Sequence, residues 1–251
     1  MLNNKSIEIM TEQKTQSDKS EIKFLEGPQS RFAELKFIII ILWELIKCFR
    51  KLYYIGPCIT FFGSSRFKED HLYYEFTKRA AGEFAKLGFT IMTGGGPGLM
   101  EAANRGAKEV GGKSVGCNIK LPSGQTPNSY LDKWVEAKHF FVRKILLVKY
   151  SFAFVVVPGG FGTLDEYFEA LTLIQTGKIK NFPIIIFNTQ YHKAVIEHIG
   201  LMKREGTIND ADSKLFMITD DIEQARLFII EHSIKNYGLK PKFQHTPIRW
   251  I

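Results

Sequence analysis

Short, wholly apolar runs alternate with longer amphipathic stretches along most of this chain, and the alternation begins at Cys58. Cys58-Ile59-Thr60-Phe61-Phe62 stops at Gly63, and a charged amphipathic stretch follows from Glu69 to Leu87. The same pattern then repeats: a strand at Phe89–Met92, a helix from about Leu99 to Lys108, and a strand at Ser114–Ile119. A loop from Leu121 to Tyr130, carrying Pro122, Gly124 and Pro127, leads to a shorter strand near Val135-Glu136-Ala137 and a helix over Phe140–Tyr150. Phe152–Val157, the most strongly apolar run, ends at Pro158-Gly159-Gly160 and precedes a helix over Leu164–Thr176. Strands at Pro183–Phe187 and Leu215–Ile218, with helices near Tyr191–Lys203 and Ile222–Tyr237, complete the series. Strands that are apolar throughout are buried on both faces, and helical crossovers between them imply a parallel sheet. The expected fold class is α/β, with helices on both faces of that sheet.

The part before Cys58 breaks the pattern. Residues 1–30 read as a flexible leader closed by Gly27-Pro28, and residues 31–55 as an N-terminal helix ending in Lys47, Arg50 and Lys51, where cations suit the dipole. The apolar run through Trp43 is interrupted by Glu44 and Lys47, short of the roughly 18 consecutive apolar residues a spanning helix needs. A helix over 31–53 is about 35 Å long at about 1.5 Å per residue. Its apolar side chains surround nearly the whole circumference, more than one flank of a domain covers. Two burials stay open, against a partner subunit or in an anionic membrane surface. The interruption at Glu44 favours the subunit, and with it a homodimer or larger homo-oligomer.

Composition narrows the chemistry. The chain has 251 residues, 45% of them hydrophobic, which suits one α/β domain plus an extra N-terminal element. Lys and Arg total 34 against 26 Asp and Glu, a net charge of +8 that favours an anionic partner. With no zinc-finger spacing, RNP-like aromatic motif or long basic run, a phosphorylated metabolite fits better than nucleic acid. Cys48, Cys58 and Cys117 are scattered, have apolar neighbours and form no CxxC pair, so buried reduced thiols and no structural metal are expected. No signal peptide is evident, and the expected location is the cytoplasm.

Three glycine-rich loops follow expected strands: Gly63-Ser64-Ser65, Gly94-Gly95-Gly96 and Gly159-Gly160-Phe161-Gly162. In open parallel sheets, ligands bind beyond the carboxyl ends of the strands, where such loops lie. In Pro158-Gly159-Gly160-Phe161-Gly162-Thr163-Leu164-Asp165-Glu166 the glycines let backbone approach a ligand, and free N–H groups opening the next helix suit a phosphate. Thr163 with Glu166 three residues on also reads as an ordinary capping box. Gly94-Gly95-Gly96-Pro97-Gly98-Leu99-Met100-Glu101 has a similar build, and two such loops after neighbouring strands would hold one nucleotide between them. It has neither the dinucleotide spacing nor the Lys-Ser/Thr of an ATP loop. Glu101 and Asn104 share a helix face, open to a ligand or to solvent. Arg143 and Lys144 stand in the first turn of a helix, where a cation is unfavourable, so an anionic partner for Arg143 is expected. His139, just before that helix, reads equally as structural or as an acid/base. No Gly-x-Ser-x-Gly elbow supports a serine hydrolase.

The two glycine motifs, in this order and separation with Arg143-Lys144 between them, resemble the LOG ("lonely guy") family over about Ile59 to Tyr237. That resemblance implies a Rossmann-like domain over 56–240, followed by a tail at 241–251, and nucleoside 5'-monophosphate phosphoribohydrolase activity. It implies that Glu166 and Arg143 are the essential pair, with Gly159, Gly160, Gly162 and Thr163 as the phosphate loop and Gly95 and Gly96 lining the same cleft. Met100 and Glu101 are further substrate-binding candidates. Such proteins are typically dimers, and the implied scheme needs no cofactor. Glu101 stands where short plant members often carry glycine. An N-glycosidic bond breaks through an oxocarbenium-like sugar that a carboxylate can stabilise, giving free base and ribose 5-phosphate. The alternative is a non-catalytic nucleotide or phosphate-ligand binding module of the same fold. An older label attached to the family, lysine decarboxylase, implies a pyridoxal phosphate Schiff base. No lysine here is singled out for one.

Overall fold

A computed structural model of the chain describes residues 24–120, 126–180, 182–212 and 216–235. The leader up to residue 23 and the tail at 241–251 lie outside the described residues. In chain order the elements are α1 (Arg31–Leu52), β1 (Cys58–Phe62), α2 (Leu72–Lys86), β2 (Thr90–Thr93), α3 (Leu99–Glu109), β3 (Ser114–Ile119), β4 (Lys133–Ala137) and α4 (Phe140–Lys149). They continue with β5 (Ser151–Val156), α5 (Phe161–Gln175), β6 (Ile184–Ile186), α6 (Lys193–Arg204), β7 (Phe216–Ile218) and α7 (Ile222–Ile229), which runs on as a π-helical turn over Ile230–Lys235.

The seven strands form one sheet in the order β4-β3-β2-β1-β5-β6-β7, with every pairing parallel. Every residue of β1, β2, β3 and β6 is buried, as unbroken apolar strands in a doubly covered sheet must be. One core layer joins Phe61, Tyr74, Phe84, Ala103 and Ile229 under α2, α3 and α7. The other joins Phe62, Phe154, Leu146, Tyr167 and Ile199 under α4, α5 and α6. The fold is thus the expected Rossmann-like α/β sheet with an N-terminal helix. Burial raises the thiol pKa of Cys48, Cys58 and Cys117 alike.

The strand order corrects one expectation. The glycine loops after β2 and β5 do not follow neighbouring strands, because β1 lies between them. The chain runs outward from β1 through β2, β3 and β4, then returns to the other side of β1 as β5. The switch point therefore lies between β1 and β5, and the loop beside Gly159-Gly160 is Gly63-Ser64-Ser65.

Helix α1 is begun by Ser30, whose hydroxyl accepts from the Ala33 amide, with Glu34 in its first turn and Arg50 and Lys51 in its last. Phe37, Glu44, Cys48 and Leu52 form its buried stripe, and Cys48 and Leu52 join the core layer of α4 and α5. The opposite side stays uncovered: Phe32, Leu35, Ile39, Leu42, Trp43 and Ile46 are 40% to 79% exposed. Among the described residues, no helix is long and apolar enough to cross a membrane.

Candidate functional site

At the switch point, a cavity of about 720 Å³ opens between the loops after β1 and β5. Backbone bonds tie three loops around it: the Ser64 amide donates to the Pro158 carbonyl at 2.9 Å, and the Leu99 amide to the Ser64 carbonyl at 2.8 Å. The second bond requires Gly98, which has φ +70° and leads into α3; a Cβ there would sit 2.6 Å from the Ser65 backbone. Tyr191, beyond β6, lines the cavity and donates its hydroxyl to the Gly159 carbonyl at 2.9 Å.

Helix α5 begins at Phe161, three residues before the expected start, and Gly160 is its N-cap with no side-chain cap bond. The capping-box reading of Thr163 and Glu166 is therefore corrected: Thr163 lies within the first turn, and the motif's glycines are themselves the helix start. A Cβ on Gly159 would collide with the Thr163 side chain, so that glycine admits the threonine to the cavity wall. Uncapped N–H groups and the positive end of the dipole together make this edge suited to a phosphate. Phe161, 95% exposed, stands at the mouth.

Arg143 forms part of the wall from the first turns of α4. Its Nε donates to the Cys117 carbonyl at 3.1 Å, and its Nη1 lies 3.6 Å from Glu166 Oε1 on α5, an ion pair beyond direct hydrogen-bond range. This is the anionic partner that the unfavourable helix position of Arg143 demanded. Lys144 beside it pairs with Asp165 at 2.8 Å and Glu169 at 3.1 Å, so α4 and α5 face each other across opposed charges. Glu166 is 3% exposed, and burial raises its pKa from 4.5 to about 7, against the lowering pull of Arg143 and Lys144.

The structure brings Arg143, Glu166, Gly159, Gly160, Gly162, Thr163 and Met100 to this place. Glu166 stands beside Arg143 rather than on the wall itself. From the glycine loop after β2, Gly94 reaches the cavity, whereas Gly95 and Gly96 are not among its lining residues. A Cβ on Gly94 would lie 2.8 Å from Arg143 Nη2 and 2.7 Å from Met100 Sδ. Gly95 packs instead toward Gly116 and Leu131, and the Gly96 carbonyl accepts from Asn128 Nδ2. Glu101 also lies off the wall and accepts a hydrogen bond from the Tyr74 hydroxyl at 3.2 Å. Asn104 is fully buried among Thr93, Ser114 and Asn128, which makes it structural. Ser64 and Ser65, expected only as part of a third glycine-rich loop at the ligand edge, stand on the wall, and Arg66 and Tyr191, which were not candidates, stand there too. The loop after β1 had a signal in Gly63-Ser64-Ser65; Tyr191 had none.

A family model described as "Possible lysine decarboxylase" matches residues 100–227. A cytokinin riboside 5'-monophosphate phosphoribohydrolase of Rhodococcoides fascians is 34% identical over 84 residues, covering 33% of this chain and 42% of that protein. A protein of Arabidopsis thaliana named "Probable cytokinin riboside 5'-monophosphate phosphoribohydrolase" is 32% identical over 120 residues, covering 47% of this chain and 59% of its own length. The chain thus spans about half the length of these curated relatives. Among solved structures, the molybdenum cofactor carrier protein of Chlamydomonas reinhardtii shares the fold with a TM-score of 0.53. It is 20% identical, covering 70% of this chain and 97% of that one.

Proposed function

The chain belongs to the LOG family, and from that premise we propose that it hydrolyses the N-glycosidic bond of a nucleoside 5'-monophosphate. The observation that carries the reading is the buried Glu166 carboxylate paired with Arg143 beside a cavity whose rim is the N-terminus of α5. The phosphate sits on the amides of Gly160, Phe161 and Gly162 and on the Thr163 hydroxyl, holding the ribose inward. Arg143 meets the ligand from the wall. Its loose 3.6 Å contact lets it turn toward the incoming anion, which frees Glu166 to stabilise the positive charge growing at the sugar. Water takes the place of the base at C1', giving ribose 5-phosphate and the free base. AMP and other nucleoside monophosphates fit this scheme, and a cytokinin ribotide is a special case of the same chemistry.

The test is release of free base from AMP, GMP, CMP and UMP by the purified chain, with adenosine beside AMP. AMP is expected to react and adenosine to fall behind by about 10²-fold, as remote binding energy is lost. Equal rates on AMP and adenosine would remove the phosphate anchor, and nucleotide binding without base release would make the chain a carrier. The decarboxylase description is not adopted, because no lysine is among the described residues lining the cavity.

The chain is further proposed to self-associate through the outer side of α1. Phe32, Leu35, Ile39, Leu42 and Ile46 repeat at spacings of three and four, the seam by which helices pack on helices. A groove of about 680 Å³ beside it, between α1 and edge strand β4, is walled by Ile40, Trp43 and Trp134.

A further inference from the structure

Helix α4 starts badly by its own sequence. It has no acidic residue in its first turn, its N-cap His139 makes no side-chain cap bond, and Arg143 and Lys144 bring two cations close to the positive end of the dipole. The missing negative charge comes from α1, some ninety residues earlier in the chain. Glu44 is 8% exposed, and its carboxylate accepts from the Lys138 amide at 2.6 Å and from the His139 amide at 3.4 Å. Its second oxygen lies 2.6 Å from His139 Nδ1; a carboxylate only accepts, so that nitrogen carries the proton. His139 is fully buried and packs edge-on against Phe37 of α1, with ring centroids 5.2 Å apart. One carboxylate therefore holds both backbone amides and the side chain leading into α4. The helix it anchors carries Arg143 one turn later, and the first helical bond, from the Arg143 amide to the His139 carbonyl, closes on the anchored residue.

We infer that Glu44 is a positioning residue for Arg143: α1 is an added element that fixes the start of α4 and so sets the distance between the Arg143 guanidinium and Glu166. The inference rests on the reading of Arg143 as part of the hydrolytic site. It assigns α1 a role outside the matched span of residues 100–227. Buried charge without its partners is costly, so the pairing is kept only where the surrounding groups satisfy it, as the two amides and the imidazole do here.

The test uses the full chain, with Glu44→Ala, Glu44→Gln, Arg143→Ala and the double variant Glu44→Ala/Arg143→Ala. Glu44→Ala is expected to lower kcat for AMP by between about 10-fold and 10²-fold, the scale of a displaced reacting group. Its KM should rise by less than kcat falls, because the phosphate loop on α5 keeps most of the ground-state binding and Arg143 supplies one contact of it. Glu44→Gln keeps an oxygen for the Lys138 amide and should recover most of the loss, which also covers the case in which Glu44→Ala fails to fold. In the Arg143→Ala background, Glu44→Ala should add little, since the two act through one group. A Glu44→Ala enzyme with unchanged kcat, or a loss that multiplies fully with that of Arg143→Ala, overturns the inference. Amide exchange over residues 139–144 provides a readout independent of turnover: faster exchange in Glu44→Ala than in wild type, with Glu44→Gln between them, supports the anchoring, and exchange equal to wild type in both variants overturns it. Should the wild-type chain release no base at all, the hydrolase reading falls, and exchange alone decides the matter of Glu44.

Discussion

Around the cavity, charge is answered by charge: Arg143 faces the buried Glu166, Lys144 faces Asp165 and Glu169, and α5 begins there without a side-chain cap. Along the outer side of α1 the reverse holds, with apolar side chains in the open and Trp43 68% exposed at the centre. The contrast separates two uses of buried free energy. Desolvated charges near the cavity store electrostatic potential for a ligand, at a cost the core must offset. Uncovered apolar area on α1 holds unspent hydrophobic burial, available to whatever covers it. Glu44 joins the two regions, because it lies on the inner side of α1 and its carboxylate holds the Lys138 amide and the His139 side chain at the start of α4.

The sharpest way to break the contrast is at the carboxylate. Glu166→Ala is expected to lower turnover of AMP by about 10²-fold or more while nucleotide binding stays measurable. Its folding is read separately by melting temperature, because the substitution relieves a desolvated carboxylate but leaves Arg143 without its ion-pair partner. Titration calorimetry on the variant beside a base-release assay checks both halves. Activity near wild type would return Glu166 to a purely structural pairing.

Arg143→Lys comes next. Arginine here serves two directions at once, Nε to the Cys117 carbonyl and Nη1 toward Glu166, and a lysine ammonium cannot make both. Loss of turnover by at least about 10-fold, with melting temperature nearly unchanged, is expected from kinetics and calorimetry on the same preparation. A lysine variant of equal activity would show that only the charge matters.

Most of the fold is legible in the sequence. The unbroken apolar runs at Phe89–Met92 and Phe152–Val157 and the amphipathic stretches between them read as parallel strands and covering helices. Strand order was not legible, because periodicity says which face a residue takes and nothing about which strand lies beside it. Hence β1 was not seen to separate the two glycine loops, and Gly95 and Gly96 were expected on the wall where Gly94 stands. The pairing of Arg143 could be sensed from its awkward helix position, which is a local rule. Glu44 read as a mere interruption of an apolar run, since its partners lie 94 and 95 residues away and no local pattern announces them.

A smaller effect sharpens the electrostatic side. Burial holds the Glu166 carboxyl at about 7 in the folded chain, above the 4.5 of an ordinary glutamate. The folded state then binds this proton more tightly than the unfolded chain does, so stability falls as pH rises from about 4.5 to about 7. Glu166→Gln removes the titration. Its melting temperature relative to wild type should therefore be higher at pH 8 than at pH 4.5. Activity should follow the opposite sense, with kcat/KM rising as the carboxylate forms near pH 7. A wild-type profile flat across that range would mean that this carboxyl does not titrate in the step measured.

The smallest expected effect on turnover, and the largest on mass, belongs to the outer side of α1. Removing the helix outright would confuse the question, because Cys48 and Leu52 are part of the core and their loss opens it. Point substitutions avoid this. Ile39 and Leu42 are 57% and 56% exposed and lie outside the buried stripe of Phe37, Glu44, Cys48 and Leu52, so Ile39→Glu with Leu42→Glu changes chiefly the surface. Two carboxylates on a helix–helix seam must be desolvated on association or leave it unformed, and the second course costs less. Light scattering should therefore show the variant at lower mass than wild type, while kcat for AMP changes by no more than about 2-fold. Equal mass for the two would deny that this side joins copies. A variant that kept its mass and lost turnover would instead tie the outer side of α1 to the cavity, and the division between the two regions would have to be redrawn.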